Sequence, residues 1–257
     1  MAKNLKDVVF TSALRTPIGK FKGLWKKSQA HELGKIVILN ILQQTKIKPE
    51  FIDEVIMGQV LTGGTGQNPA RQAAIVAGIP VEKTAYVINQ VCGSGLRSIV
   101  AGYQSILLGD AKMVIAGGQE SMTNSKEEMM LKDGLIDAYN NYHMGITAEN
   151  VAEKWNILRK DQDAFAASSQ LKAQEAIKNK KFMEEIIDKS SEDEHPRKGI
   201  TIENLSKLKP AFKENGTVTA GNSSGINDGA AAVLLMSRDV SDRKGLAPLA
   251  KIVSWAT

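Results

Sequence analysis

The sequence predicts an α/β fold, a layered sheet covered by helices, with a long insertion between two of its strands. Three observations carry this expectation. Short β-type runs alternate with helical ones through residues 1–117. The pattern turns polar and loop-rich over 118–227, and sheet grammar returns with Ala230-Ala231-Ala232-Val233-Leu234-Leu235-Met236. Strands that alternate with amphipathic helices pack as a sheet under a helical layer.

Taken in order, residues 8–11 read as a first strand, and 30–43 as a helix with Leu33, Ile36, Val37 and Ile41 at helical spacing. Residues 54–60 form a second strand. A helix follows, with Asn68 as N-cap and Pro69 at its first position. Residues 84–88 are a strand, and the next helix presents Leu96, Ile99, Val100, Tyr103, Ile106 and Leu107 on one face. Residues 113–116 are a buried strand. Within 118–227, residues 148–155 and 161–179 read as helices of a lid or substrate-binding subdomain. Residues 228–247 return to the first unit. Residues 248–255 look like the opening strand of something new, an orphan that leaves apolar surface exposed.

The chain has 257 residues, 42% of them hydrophobic, enough for a sizeable core. One cysteine excludes an internal disulfide and suits a reducing compartment. The first residues carry neither a secretory apolar core nor an Arg/Ser-rich transit pattern, and no run is long enough to span a membrane. A cytoplasmic location is expected. The net charge of +5 is dispersed. Lys20, Lys22, Lys26 and Lys27 form one loose cluster, and Lys178, Lys180 and Lys181 another. Neither interleaves aromatics, so both read as solvated faces rather than nucleic-acid sites. A mild positive field also suits a phosphorylated ligand.

The most informative stretch is Asn89-Gln90-Val91-Cys92-Gly93-Ser94-Gly95-Leu96-Arg97-Ser98. A lone cysteine is more often a small buried hydrophobe than a nucleophile. Here it stands in a glycine turn between a strand and a helix, where unpaired N–H groups and the helix dipole favour a thiolate. That arrangement is a nucleophile elbow built on cysteine. Gly63-Gly64-Thr65-Gly66 lacks the Gly-Lys-Ser/Thr of a phosphate loop and reads as a turn. His31 has no partner at metal spacing.

Six motifs then follow one another in the order found in thiolases: Ala13-Leu14-Arg15-Thr16-Pro17-Ile18-Gly19, Gly66-Gln67-Asn68-Pro69-Ala70-Arg71-Gln72, Val91-Cys92-Gly93-Ser94-Gly95-Leu96, Ala116-Gly117-Gly118-Gln119-Glu120-Ser121-Met122, Tyr142-His143-Met144-Gly145 and Gly216-Thr217-Val218-Thr219-Ala220-Gly221-Asn222. Over essentially its whole length the chain resembles the N-terminal part of a biosynthetic-type thiolase. The resemblance implies two similar α/β halves, with a loop domain inserted in the first. This chain would supply the first half, the loop domain and only the first strand of the second, the C-terminal half being absent.

The resemblance also implies the chemistry. Cys92 attacks an acyl-CoA thioester, and the enolate of a second acetyl-CoA then takes the acyl group, giving acetoacetyl-CoA; thiolysis is the reverse. The Cys92 N–H would help bind the transient oxyanion. Leu135, His143 and Met144 would line the pantetheine tunnel, and Ala220 and Ser224 would meet the pantetheine amides. Phe212 would sit near the adenine, and Arg197 near phosphate or adenine. Read without the resemblance, His143 is equally a packed or surface histidine, Phe212 a core residue and Ser224 part of a serine-rich turn. The implied ligands are coenzyme A thioesters as substrates, with no cofactor or metal. The implied partner is a second copy of the chain, a homo-oligomer without nucleic acid or membrane.

Departures accompany the matches. Thiolases carry an Asn-Glu-Ala-Phe segment, a Gly-His-Pro histidine that activates the nucleophile, and a Cys-x-Gly-Gly-Gly cysteine that moves the α-proton. None occurs in this sequence. Glu194-His195-Pro196 lies in an acidic loop and does not substitute for the histidine. Two stretches, 122–132 and 187–190, look shortened. The alternative reading is a non-catalytic thiolase-like module for acyl-CoA binding or assembly; a ketoacyl-synthase-type condensing enzyme fits these motifs worse.

Overall fold

A computed structural model describes residues 7–188 and 190–256. The initial residues read above for a leader, Lys189 within one shortened stretch, and Thr257 lie outside the described residues.

The strands are β1 (Val8–Arg15), β2 (Gly19–Lys20), β3 (Glu54–Gly58), β4 (Thr84–Ile88), β5 (Met113–Ser121), β6 (Asn227–Ser237) and β7 (Ala250–Lys251). They form one sheet in the order β4-β3-β5-β6-β1-β7, with β2 beside β6. β4, β3 and β5 run parallel, and β6 lies antiparallel between β5 and β1. The helices are α1 (Ala30–Thr45), α2 (Pro69–Val76), α3 (Ser94–Leu108), α4 (Glu127–Met130), α5 (Met144–Lys154), α6 (Arg159–Lys178), α7 (Ile202–Ser206) and α8 (Arg238–Lys244).

Alternation along the strands builds both faces of the sheet. Val9, Val55, Met57, Ile115, Leu234 and Met236 point to one side, where Leu33, Val37 and Ile41 of α1 cover them. Val8, Ile56, Val114, Ala116 and Leu235 point to the other, under α3. The register pairs Ile115 with Leu234 and Val114 with Leu235, so each face is continuous across the sheet. The N-cap of α2 is as expected: the Asn68 side chain accepts from the Arg71 N–H, and Pro69 opens the helix.

α3 packs Ile99, Tyr103, Ile106 and Leu107 of its expected apolar face against the core, but its most deeply buried residues are mostly small. They are Ser94, Ser98, Gly102, Ser105 and Ile106, not the whole apolar stripe. A Cβ at Gly102 would lie 2.9 Å from Val114 Cγ1 and 3.0 Å from Leu235 Cδ1, so small residues let the helix approach the strands closely. Ser98 Oγ fastens the contact by donating to the Gly117 carbonyl at 2.6 Å. Leu96, in contrast, is 74% exposed.

The last strand differs from expectation in length. Only Ala250–Lys251 is strand, pairing antiparallel with Val9 and Phe10 of β1, while Leu249, Val253 and Trp255 around it are exposed, as expected. Backbone bonds from Leu249 N to Phe10 O and from Ile252 N to Val8 O extend this pairing. Other helix and strand bounds shift by a few residues; α5 begins at Met144, and β3 ends at Gly58.

Between β5 and β6 the chain makes its long excursion through α4 to α7. Carboxylates tie this excursion back to the sheet. Asp193 accepts both guanidinium N–H groups of Arg15, at 2.7 and 3.0 Å, and the Ile18 N–H at 2.7 Å. Glu185 takes Arg15 Nε at 2.7 Å, and Glu194 takes the Lys20 and Leu24 N–H groups. Burial would raise the Asp193 pKa, but the Arg15 hydrogen bonds, the Ile18 N–H and the arginine charge outweigh it and hold the carboxyl below its usual range. A depressed carboxylate pKa contributes stability above the unfolded-state value and loses it as pH falls through the folded-state value. Asp193→Asn is therefore expected to cost about 2–4 kcal/mol at neutral pH. The difference from the parent should begin to narrow below about pH 4, the unfolded-state range, and close only beneath the folded-state value. Denaturant titrations at neutral and acid pH check this; a gap of equal size in both would contradict it.

Candidate active site

β4 ends at Ile88, and the chain reverses through residues 89–93 into α3. Val91 takes a left-handed conformation, φ 48°, which a β-branched residue adopts only under strain. Ser94 locks the reversal: its hydroxyl donates to the Val91 carbonyl at 2.5 Å and accepts from the Gln90 N–H at 2.9 Å. Cys92 is thereby held just before the Gly93 N-cap, and it is exposed. Its N–H meets no acceptor among the described residues. Candidate nucleophile and candidate oxyanion donor thus belong to one residue.

The sequence reason for this placement lies in a glycine on a neighbouring strand. A Cβ on Gly58, at the end of β3, would lie 2.4 Å from the Ser94 carbonyl carbon. One on Gly118 of β5 would lie 3.4 Å from Gly95 Cα. β3 must therefore be bare at Gly58 for the elbow to sit on it, whereas a Cβ at Gly118 would make only ordinary van der Waals contact.

Cys92 opens into a cavity of about 350 Å³ that Arg15, Ile18, Gly58, Val60, Ser94, Gly118, Glu120 and Asn227 help to line. Glu120 was not singled out from the sequence. Its carboxylate accepts the Val60 and Leu61 N–H groups at 2.9 and 3.2 Å, fixing the chain after β3. Burial pushes the Glu120 carboxyl up, and these two bonds offset part of the rise. Asn227 connects the cavity to the acidic loop, with Nδ2 3.3 Å from His195 Nδ1. The His195 ring also packs on Gly225, where a Cβ would lie 2.0 Å from its Cε1. Packing thus accounts for this histidine.

The seven residues assigned to coenzyme A by resemblance lie outside the lining of the Cys92 cavity. His143 and Phe212, distant in sequence, stack with centroids 4.8 Å apart and planes 18° from parallel. His143 Nδ1 accepts the Gly145 N–H at 2.9 Å and caps α5. Gly145 is required by the stack, since a Cβ there would lie 2.1 Å from Phe212 Cγ. Met144 is 46% exposed at the start of α5. Leu135 ends a π-type turn, 131–135, whose Gly134 faces Leu61, the residue after the cavity-lining Val60. Ala220 and Ser224 are exposed on the loop before β6. Arg197 is exposed too; Gln170 and Gln174 of α6 hold its backbone.

Comparison with known proteins gives the architecture a family. The family model described as Thiolase, N-terminal domain, matches residues 8–129 and 124–239. The chain belongs to the thiolase family. It is 49% identical to an acetyl-CoA acetyltransferase of Rhizobium meliloti (strain 1021), over 98% of this chain and 70% of that protein. It is 50% identical to one from Paracoccus denitrificans, over 98% of this chain and 71% of that protein. The crystal structure of the Bacillus anthracis acetyl-CoA acetyltransferase superposes with a TM-score of 0.91 at 37% identity, covering 97% of this chain and 70% of that one. The first alignment spans 277 positions, more than this thiolase chain possesses, so the relative carries internal residues that this chain lacks. The two family matches meet at 124–129, inside the stretch that reads as shortened between 122 and 132. Among the described residues, no helix is long and apolar enough to cross a membrane.

Proposed function

We propose that this thiolase chain is an acetyl-CoA acetyltransferase working through an acyl-Cys92 intermediate. Cys92 Sγ attacks the thioester carbonyl of acetyl-CoA, the bond from carbon to the CoA sulfur breaks, and CoA departs with the thiol proton. In condensation, the enolate of a second acetyl-CoA attacks the acyl-cysteine, forming acetoacetyl-CoA and freeing Cys92; thiolysis runs the same steps backwards. The observation that carries this reading is the exposed cysteine on a strained elbow before a helix, with its own N–H unpartnered among the described residues.

Leu135, His143, Met144, Phe212, Ala220, Ser224 and Arg197 are assigned to the CoA chain. The stack of His143 on Phe212 and the exposure of Met144, Ala220, Ser224 and Arg197 support that assignment. Substrate thioesters are the only small molecules the reading requires. Its working form is a cytoplasmic homo-oligomer in acyl (lipid) metabolism, with neither nucleic acid nor membrane as partner; the lone free cysteine suits that compartment. A second reading, a non-catalytic acyl-CoA-binding module, is favoured by one observation: Cys92 is the sole cysteine, so the sequence has no second thiol to move the α-proton.

Transfer of label between free CoA and acetyl-CoA separates the two, because it needs only the first half-reaction. Exchange without a second acyl acceptor is expected. Binding of acetyl-CoA without exchange would contradict the enzymatic reading and support the module.

A further inference from the structure

The loop 217–224, which carries Ala220 and Ser224, has little regular structure of its own, yet its interior is held by two buried carboxylates on different helices. Glu149 of α5 is 5% exposed and makes no ion pair within 4 Å among the described residues. Its acceptor capacity goes to the loop alone. Oε1 takes the Thr217 and Val218 N–H groups at 2.8 and 2.7 Å, and Oε2 takes the Thr217 N–H and hydroxyl at 3.0 and 2.9 Å. Gly216 makes room for it, since a Cβ there would lie 2.3 Å from Oε1.

Asp163 of α6, 1% exposed, supplies the second hold. It accepts Arg159 Nε at 2.8 Å and Asn222 Nδ2 at 3.0 Å. Asn222 in turn donates to the Thr217 carbonyl and accepts the Thr219 N–H at 2.7 Å, closing the loop on itself. The clamp also reaches the aromatic stack. Ala211 N donates to the Val218 carbonyl, which places Phe212 one residue away, and His143 caps the same α5 that bears Glu149. Four of the residues assigned to coenzyme A (His143, Phe212, Ala220 and Ser224) therefore hang from one hydrogen-bonded unit.

A buried carboxylate is costly to desolvate, and bonds to a charged acceptor are strong. Met at hydrogen-bond distance by loop N–H groups, with the Lys213 charge acting only from farther off, its charge is committed to the shape of the loop. We propose that Glu149, seconded by Asp163 through Asn222, is a positioning residue that presets the 217–224 loop for the acyl-CoA thioester. The inference rests on the reading that this loop meets the pantetheine chain. It assigns Glu149 no contact with substrate and no part in the bond-making step.

The test measures CoA exchange on the full chain against acetyl-CoA concentration, together with hydrogen exchange at the Thr217 and Val218 amides. Glu149→Gln turns one acceptor into a donor facing N–H groups. It is expected to raise the half-saturating acetyl-CoA concentration about tenfold or more. The saturating rate should stay within about twofold, since the reacting groups are untouched. The two amides should exchange faster. Thr217→Val removes the hydroxyl's bond to Glu149 and the one it accepts from Gln162 Nε2 at 2.9 Å, leaves the backbone bonds to Glu149 in place, and should shift half-saturation less, in the same direction; it carries the test if Glu149→Gln does not fold. Faster amide exchange with unchanged half-saturation would overturn the positioning role alone. So would a lower saturating rate at unchanged half-saturation, or a folded Thr217→Val identical to the parent when Glu149→Gln is lost. A parent that never saturates with acetyl-CoA overturns the reading of the site, and the positioning role falls with it.

Discussion

Gly58→Ala is expected to disable the elbow without touching Cys92. The new methyl would lie 2.4 Å from the Ser94 carbonyl carbon and 2.6 Å from the Gly95 nitrogen. Both are backbone atoms in the first turn of α3, so no side chain can swing aside; either the helix start moves or β3 does. Overpacking of this kind costs roughly 1–3 kcal/mol. The functional loss should exceed the stability loss, because a displacement of about 1 Å at a reacting group can cost on the order of 100-fold in rate. The expected result is a folded protein with a lower denaturation midpoint and CoA exchange reduced by about two orders of magnitude. Parent-like exchange in that variant would show that the close approach of β3 to α3 does not place the cysteine.

Cys92→Ser should give the opposite pairing, with stability kept and chemistry lost. The side chain is exposed and makes no hydrogen bond among the described residues, so the change in stability should stay within about 0.5 kcal/mol. A serine hydroxyl is a weak nucleophile without a base to activate it. Loss of a nucleophile costs on the order of a thousandfold or more. Thermal denaturation beside the exchange assay separates the two effects. Exchange that persists in the serine variant would move the acyl group to another residue.

How far the sequence foretells this molecule depends on how local each cause is. The start of α2 was legible because Asn68 and Pro69 state it within two residues, and β4 because residues 84–88 are a bounded β-type run. The Cys92 turn was legible as an elbow, although its strain is borne by Val91, a residue nothing in the sequence marks as left-handed. α3 was legible in part: Ile99, Tyr103, Ile106 and Leu107 of its apolar face pack against the core, while Leu96 is exposed and the small residues Ser98, Gly102 and Ser105 are buried on β5 and β6. The pairing of β7 with β1 depends on partners some 240 residues apart, and no local pattern encodes it.

The same distinction holds for the site. The Tyr-His-Met-Gly and Gly-Thr-Val-Thr-Ala-Gly-Asn motifs pointed to His143, Met144 and Ala220, but not to the carboxylates that hold them. Glu149 meets residues 68 and 69 positions away, and Glu120 meets residues 60 and 59 positions away. Each is an acidic residue in a mixed-polarity stretch, indistinguishable by pattern from a solvated one. An acid inside a glycine-flanked motif, Gly117-Gly118-Gln119-Glu120, is the signal that could have found the second.

The most direct measurement is the intact mass of the purified chain after mixing with acetyl-CoA, with peptide mapping of any adduct. One acetyl group, located on the Cys92 peptide and absent from Cys92→Ser, is the predicted result. An unmodified chain beside a full-length relative that acetylates in parallel, or an acetyl group found only elsewhere, would contradict the assignment of Cys92 as the acyl acceptor.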